Sequence, residues 1–153
     1  MSDLVIRAAV AGDLDGILEL ERAIPEAPHW SKGDYRAALE EERGAKRRVL
    51  VAEVKGQLAG FAVVAVAADV GELESIAVAA QERRQGVGSA LCNAVLEWCR
   101  GHGVGSMQLE VRAGGAGAIA LYEGLGFKAT GRRRGYYREP AEDALLMEME
   151  LRG

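Results

Sequence analysis

Cysteine is scarce in this chain, with only Cys92 and Cys99 among 153 residues. Neither belongs to a Cys-x-x-Cys pair or sits with a histidine cluster, so the sequence offers no metal site. Their spacing of seven puts both on a similar face of one helix, too far apart along its axis for an easy disulfide. They read as reduced packing thiols of a cytoplasmic protein. No run approaches the ~20 apolar residues of a membrane-crossing helix. Met1-Ser-Asp-Leu-Val-Ile-Arg7 also lacks the charged-then-apolar order of a secretion signal. Neither secretion nor membrane insertion is expected. A basic excess is missing too: the formal net charge is −4, which argues against nucleic acid as the main partner. No linker or internal repeat divides the chain, and 49% hydrophobic with 27% charged residues suits one globular domain over residues 1–153.

The Gly-x4-Gly-Lys-Ser/Thr nucleotide loop is absent, yet a phosphate-binding segment of another kind is present. Ser75-Ile-Ala-Val-Ala-Ala-Gln-Glu-Arg-Arg-Gln-Gly-Val-Gly-Ser-Ala-Leu91 runs from an apolar strand through a basic, glycine-bearing turn into a helix. A helix beginning near Gly86 leaves its first N–H groups without intrahelical acceptors and places partial positive charge there, which suits an anion. Gly86 and Gly88 let ligand oxygens approach the backbone without meeting a Cβ.

The hydrophobic period predicts a mixed α/β domain of order β-α-α-β-β-β-α-β-α-β-β. Strands are expected over 4–10, 49–54, 58–66, 72–78, 106–112, 128–135 and 144–151, with a tight turn at Lys55-Gly56. Helices are expected over 13–24, from Ser31, from Gly86 to about Arg100, and over 117–125. Ser31 and Asp34 form a near capping box, and Ile17, Leu18, Leu20, Ile24, Tyr35, Ala38 and Leu39 form the buried faces of the first two helices. Gly115-Ala-Gly117-Ala-Ile-Ala120 formally matches the dinucleotide fingerprint, but the segment that follows is Arg132-Arg-Arg-Gly-Tyr-Tyr137 rather than a strand ending in an acidic ribose ligand. Loop flexibility accounts better for these glycines.

In this setting Arg83-Arg-Gln-Gly-Val-Gly88 resembles the Arg/Gln-x-x-Gly-x-Gly/Ala signature of the GCN5-related N-acetyltransferases, after the expected strand and opening the expected helix. Leu109-Glu-Val-Arg112 and Ala118-Ile-Ala-Leu-Tyr-Glu-Gly-Leu-Gly-Phe127 resemble the second half of that fold. With Ile76-Ala-Val78 and Arg134-Gly-Tyr-Tyr137 they are similar to its RimI type, which acetylates the N-terminal alanine of a small-subunit ribosomal protein. The resemblance implies a mixed, mostly antiparallel sheet of the acyl-CoA N-acyltransferase fold and acetyl-CoA as cosubstrate, with no metal.

Residue by residue, the resemblance implies that the CoA pyrophosphate lies on the N–H groups of Arg84, Gln85, Gly86, Val87, Gly88 and Ser89, with Arg83 or Arg84 adding charge. Ile76, Ala77 and Val78 would offer backbone groups to the pantetheine arm, as an added strand does. Glu110 is the candidate general base: it shares a strand face with Gln108 and Arg112, and the alternative is a solvated carboxylate paired with Arg112. Tyr122 matches the family's general acid, with a satisfied core tyrosine as the alternative. Where the RimI type has an asparagine after its Leu-Glu-Val-Arg strand, this chain has Gly115, so a side-chain contact to the cofactor is lost.

The expected acceptor is a protein N-terminus. A free α-amine is neutral in roughly one molecule in ten at pH 7, a lysine in roughly one in a few thousand. Trp30, Tyr136 and Tyr137 are candidate walls of a peptide groove, and Arg132 to Arg134 read as a solvated strand or turn rather than a nucleic-acid patch. Lysine, a small amine such as a polyamine or antibiotic, and a non-catalytic acyl-CoA-binding role stay open as alternatives. So does the choice between monomer and homodimer.

Overall fold

The computed structural model describes residues 3–23, 31–40, 47–82, 86–138 and 141–151. The expected element order holds: β1 (Leu4–Ala8), α1 (Leu14–Arg22), α2 (Lys32–Glu40), β2 (Arg47–Val54), β3 (Gln57–Ala67), β4 (Val70–Val78), α3 (Val87–Gly101), β5 (Ser106–Arg112), α4 (Ala116–Leu125), β6 (Lys128–Arg138) and β7 (Ala141–Glu150). Local chemistry explains several boundaries. β1 ends at Ala8 rather than Val10 because Asp13 closes a short 3-10 turn, accepting the Val10 N–H at 2.7 Å and the Arg7 guanidinium at 2.8 Å. The capping box at the start of α2 is formed in both directions: Asp34 N–H donates to Ser31 Oγ and Ser31 N–H to Asp34 Oδ2, each at 3.1 Å. Lys55 and Gly56, at φ 52° and 78°, form the two-residue turn that joins β2 to β3.

The sheet has seven strands in the order β1-β2-β3-β4-β5-β7-β6, antiparallel except for the β4–β5 pair. On one face α3 packs Leu91, Cys92, Val95, Leu96 and Cys99 onto Leu73, Met107, Leu109 and Met147, and α4 adds Tyr122 to the same cluster. On the other face Ile17, Leu18, Tyr35 and Ala38 of α1 and α2 pack on Val49, Val51, Phe61, Val63 and Ala77. The second layer therefore rests on β2, β3 and β4, and the face carried by β5, β7 and β6 is left for polar side chains. No helix among the described residues is long and apolar enough to cross a membrane.

Candidate active site

The parallel pairing of β4 with β5 runs from Val70↔Ser106 to Leu73↔Leu109. Beyond it β4 continues against β3 as far as Val78, and β5 continues against β7 as far as Arg112. Two neighbouring strands that follow different partners must separate, so a cleft opens at their C-terminal ends. A β-bulge sits where the separation begins: Val63 pairs with Ser75 but Val64 with Leu73, leaving Glu74 as the extra residue. The extra residue exchanges the faces of β4. Leu73 points into the α3 cluster before the bulge, whereas after it Ile76 and Val78 pack against that cluster and Ala77 enters the α1–α2 cluster. Both side chains of Ile76 and Val78 are thus core residues while their strand borders the cleft.

The N-terminus of α3 lies at the mouth of this cleft. Gly86 caps it at φ +82°, a left-handed conformation that glycine adopts without a Cβ penalty. The first intrahelical bond runs from Ala90 N–H to Gly86 O at 2.9 Å; the N–H groups of Val87, Gly88 and Ser89 precede it and have no acceptor inside the helix. A Cβ built on Gly88 would stand 3.7 Å from Val78 and 3.5 Å from Leu121, so the end of β4, the first turn of α3 and α4 converge there. Arg83, Arg84 and Gln85, like Trp30, lie outside the described residues. At Gly115, which caps α4, an added Cβ would approach the Arg112 carbonyl oxygen to 3.2 Å.

Glu110 is on the open face, since its neighbours Leu109 and Val111 pack into the α3 cluster. Its partner is Arg133 of β6: Arg133 Nε stands 2.8 Å from Glu110 Oε2, with the two side chains 59% and 17% exposed. The expected alternative partner, Arg112, is engaged elsewhere. Its guanidinium lies 3.3 Å from Glu142 and 4.2 Å from the Tyr137 ring centroid. Glu142 also accepts the Gly114 N–H, tying β7 to the turn before α4.

A second bulge brings the tyrosines in. Arg133 pairs with Ala144 and Tyr137 with Glu142, so Arg134, Gly135 and Tyr136 on β6 oppose Asp143 alone. Gly135, at φ +60°, donates its N–H to Asp143 Oδ1 at 2.9 Å. Strand alternation would send Tyr136 and Tyr137 to opposite faces. The bulge instead leaves both rings beside Glu110 and against each other, edge to face at 5.1 Å. Burial, then the nearby Glu110 carboxylate, raises both phenols above their ordinary pKa.

Tyr122 lies on the other side of the sheet, 5% exposed and edge to face with Phe127 at 5.9 Å. Burial, with Cys92 and Tyr137 nearby, pushes its hydroxyl well above the usual phenol range, so it is fully protonated at neutral pH. Tyr137 is close enough to both Glu110 and Tyr122 to feel their electrostatic influence. Burial raises the Cys92 thiol to about 12 and Cys99 to about 11, in keeping with packing thiols.

Three features escape sequence reasoning. Arg133 pairs with the candidate base. Glu72 of β4 lies near Glu110 and Glu74, and burial followed by those two carboxylates raises its pKa. Glu21 and Ser75 are buried at 0% and 4% exposure against Tyr35, beside the β4 bulge. The signal for Glu21 was its place on the apolar face of α1, one turn after Ile17 and Leu18.

A mixed sheet splayed between two parallel strands, with a glycine-capped helix N-terminus at the mouth, defines the acyl-CoA N-acyltransferase class of fold. Comparisons with known proteins agree. The model of the Acetyltransferase (GNAT) family matches residues 14–127, and the chain belongs to that family. The [ribosomal protein bS18]-alanine N-acetyltransferase of Escherichia coli K12 is 42% identical over 98 residues, 63% of this chain and 66% of that protein, just under two thirds of its length. A putative [ribosomal protein bS18]-alanine N-acetyltransferase of Bacillus subtilis is 32% identical over 135 residues, covering 88% of this chain and 87% of that one. The crystal structure of the ribosomal-protein-S18-alanine N-acetyltransferase from Escherichia coli superimposes with a TM-score of 0.85 at 32% identity, covering 98% of this chain and 95% of the other.

Proposed function

We propose that this chain is an acetyl-CoA-dependent N-acetyltransferase, one domain over residues 1–153 working in the cytoplasm, that acetylates the N-terminal α-amine of a protein. The substrate class is an alanine-started ribosomal protein, as the names of its relatives suggest. One observation supports the reading: β4 and β5 part beyond Leu73 and Leu109, with Glu110 on the open face just past the parting and the glycine-capped N-terminus of α3 at the end of β4.

Acetyl-CoA fits the residues present. The N–H groups of Val87, Gly88 and Ser89 suit its pyrophosphate, joined in the proposal by Arg83, Arg84, Gln85 and Gly86, and the diverging edge of Ile76, Ala77 and Val78 suits its pantetheine amides. When bound it supplies an activated thioester. Glu110 takes a proton from the acceptor ammonium, forming O–H as N–H breaks, and the freed amine attacks the thioester carbonyl carbon. As C–N forms and C–S breaks, the attacking nitrogen gives up its surplus proton to solvent, and the departing thiolate takes a proton or a strong hydrogen bond from the Tyr122 hydroxyl, which solvent then restores. That transfer need not be complete, because a thiol is the stronger acid of the two. Tyr136 and Tyr137 wall the acceptor side, and the proposal assigns Trp30, which precedes α2 in the sequence, to the same groove.

The test is thiol release from acetyl-CoA with a panel of an alanine-started peptide, an N-blocked lysine peptide and a polyamine. Release with the alanine-started peptide is expected. Release confined to lysine or polyamine would move the acceptor to another class, and release with none of them would leave a CoA-binding module.

A further inference from the structure

Arg133 stands in an unusual relation to the candidate base. Its backbone pairs with Ala144 of β7, which pairs on its far side with Arg112 of β5. To reach Glu110, which pairs with Leu146, its side chain therefore crosses β7 diagonally, starting beside the Ala144 methyl group; Ala144 is 0% exposed although the α1–α2 layer rests on β2, β3 and β4. The contact at Glu110 is close in distance, 2.8 Å, but Oε2 is buried without a hydrogen bond of good geometry. The guanidinium also stands 5.6 Å from the Tyr136 ring centroid, within cation–π range. A largely solvated cation thus covers a buried carboxylate oxygen, and Tyr136 hydrogen-bonds the same carboxylate beside it. Glu72 faces the same place from β4, and its neighbour Glu74 is already held by Arg47 in a bidentate pair at 2.8 and 3.1 Å.

A carboxylate oxygen capped by a cation cannot itself meet an incoming ammonium until that cation leaves, and Oε2 is the oxygen of Glu110 so capped. The geometry points to Arg133 as a placeholder: in the unliganded protein its guanidinium occupies the position on Glu110 that the acceptor's ammonium takes, and the acceptor must displace it. Arg133 thereby sets the apparent affinity for the acceptor and favours cationic amines, which restore the charge that its departure removes. Because the pair is more than half exposed on the arginine side, its displacement costs little. This rests on the reading of Glu110 as the base.

The experiment measures kcat and peptide KM separately for wild type, Arg133→Gln and Arg133→Lys, with an alanine-started peptide at saturating acetyl-CoA. Expected is a peptide KM about two- to fivefold lower in Arg133→Gln, the scale of an exposed ion pair, with kcat within about twofold of wild type. Arg133→Lys, which keeps a cation on the same strand, returns KM toward wild type. Added guanidinium chloride then competes with the peptide in Arg133→Gln more strongly than the same concentration of sodium chloride does. A fall in kcat with KM unchanged or raised would overturn the proposal and make Arg133 a positioning residue for Glu110. Glu110→Gln in the same assay separates the two claims: wild-type turnover there removes the base reading itself, whereas a dead Glu110→Gln beside an unchanged Arg133→Gln removes the placeholder alone.

Discussion

The two faces of the sheet are built on opposite principles. Beneath α3 and α4 the contacts are apolar and continuous: Leu91, Val95, Cys99, Met107 and Met147 are each 2% exposed or less, and β1, β2, β3, β4, β5 and β7 all contribute. Over β5, β7 and β6 the other face carries Glu110, Arg112, Arg133, Glu142 and Tyr137, each held by one or two polar contacts. The packed face holds the strands at the angle that opens the cleft, and the polar face carries the chemistry that a cleft permits. A change on the first should alter stability and leave the reaction recognisable, while a change on the second should do the reverse.

The sharpest way to break this division is Glu110→Gln. A lost general base is expected to lower kcat about 10³-fold, equivalent to about 4 kcal/mol, with acetyl-CoA affinity by calorimetry and the thermal midpoint close to wild type. Leu91→Ala, on the packed face, should cost about 3 kcal/mol in urea unfolding, with kcat of the remaining folded protein within a few fold. Tyr122→Phe tests the boundary, because the residue is buried among apolar side chains yet assigned a proton. Turnover is expected to fall about 10²-fold while the ring stays packed on Phe127 and stability barely moves. A core tyrosine without a role would instead leave kcat intact. The smallest effect belongs to Gly86→Ala. Its Cβ meets nothing within 4 Å, so only the left-handed backbone is penalised, by about 1 kcal/mol in unfolding.

The apolar layers were legible because periodicity reports which side chains leave water. Tyr35, Ala38, Ile17 and Leu18 are buried as their spacing predicts, and the Ser31–Asp34 box and the Lys55-Gly56 turn are formed where the sequence places them. Local signals of this kind depend on residues within one turn or one hairpin. The partner of Glu110 was not legible. Arg112, two residues along the same strand, is the neighbour that alternation suggests, and Arg133 comes from a strand two places away in the sheet. It reaches Glu110 across β7, and Tyr136 joins it where three residues of β6 oppose one of β7. A bulge has no fixed residue signature, and the β4 bulge at Glu74 was equally silent.

By itself the sequence determined the element order, the helix caps, the two apolar layers and the glycine-capped turn before α3, since each follows from interactions among near neighbours. Tertiary structure alone decided how far β4 and β5 run together, which face each residue of β4 takes after its bulge, and which cation meets Glu110. Those depend on strand partners and side-chain reach across the sheet, distances that no spacing along the chain records.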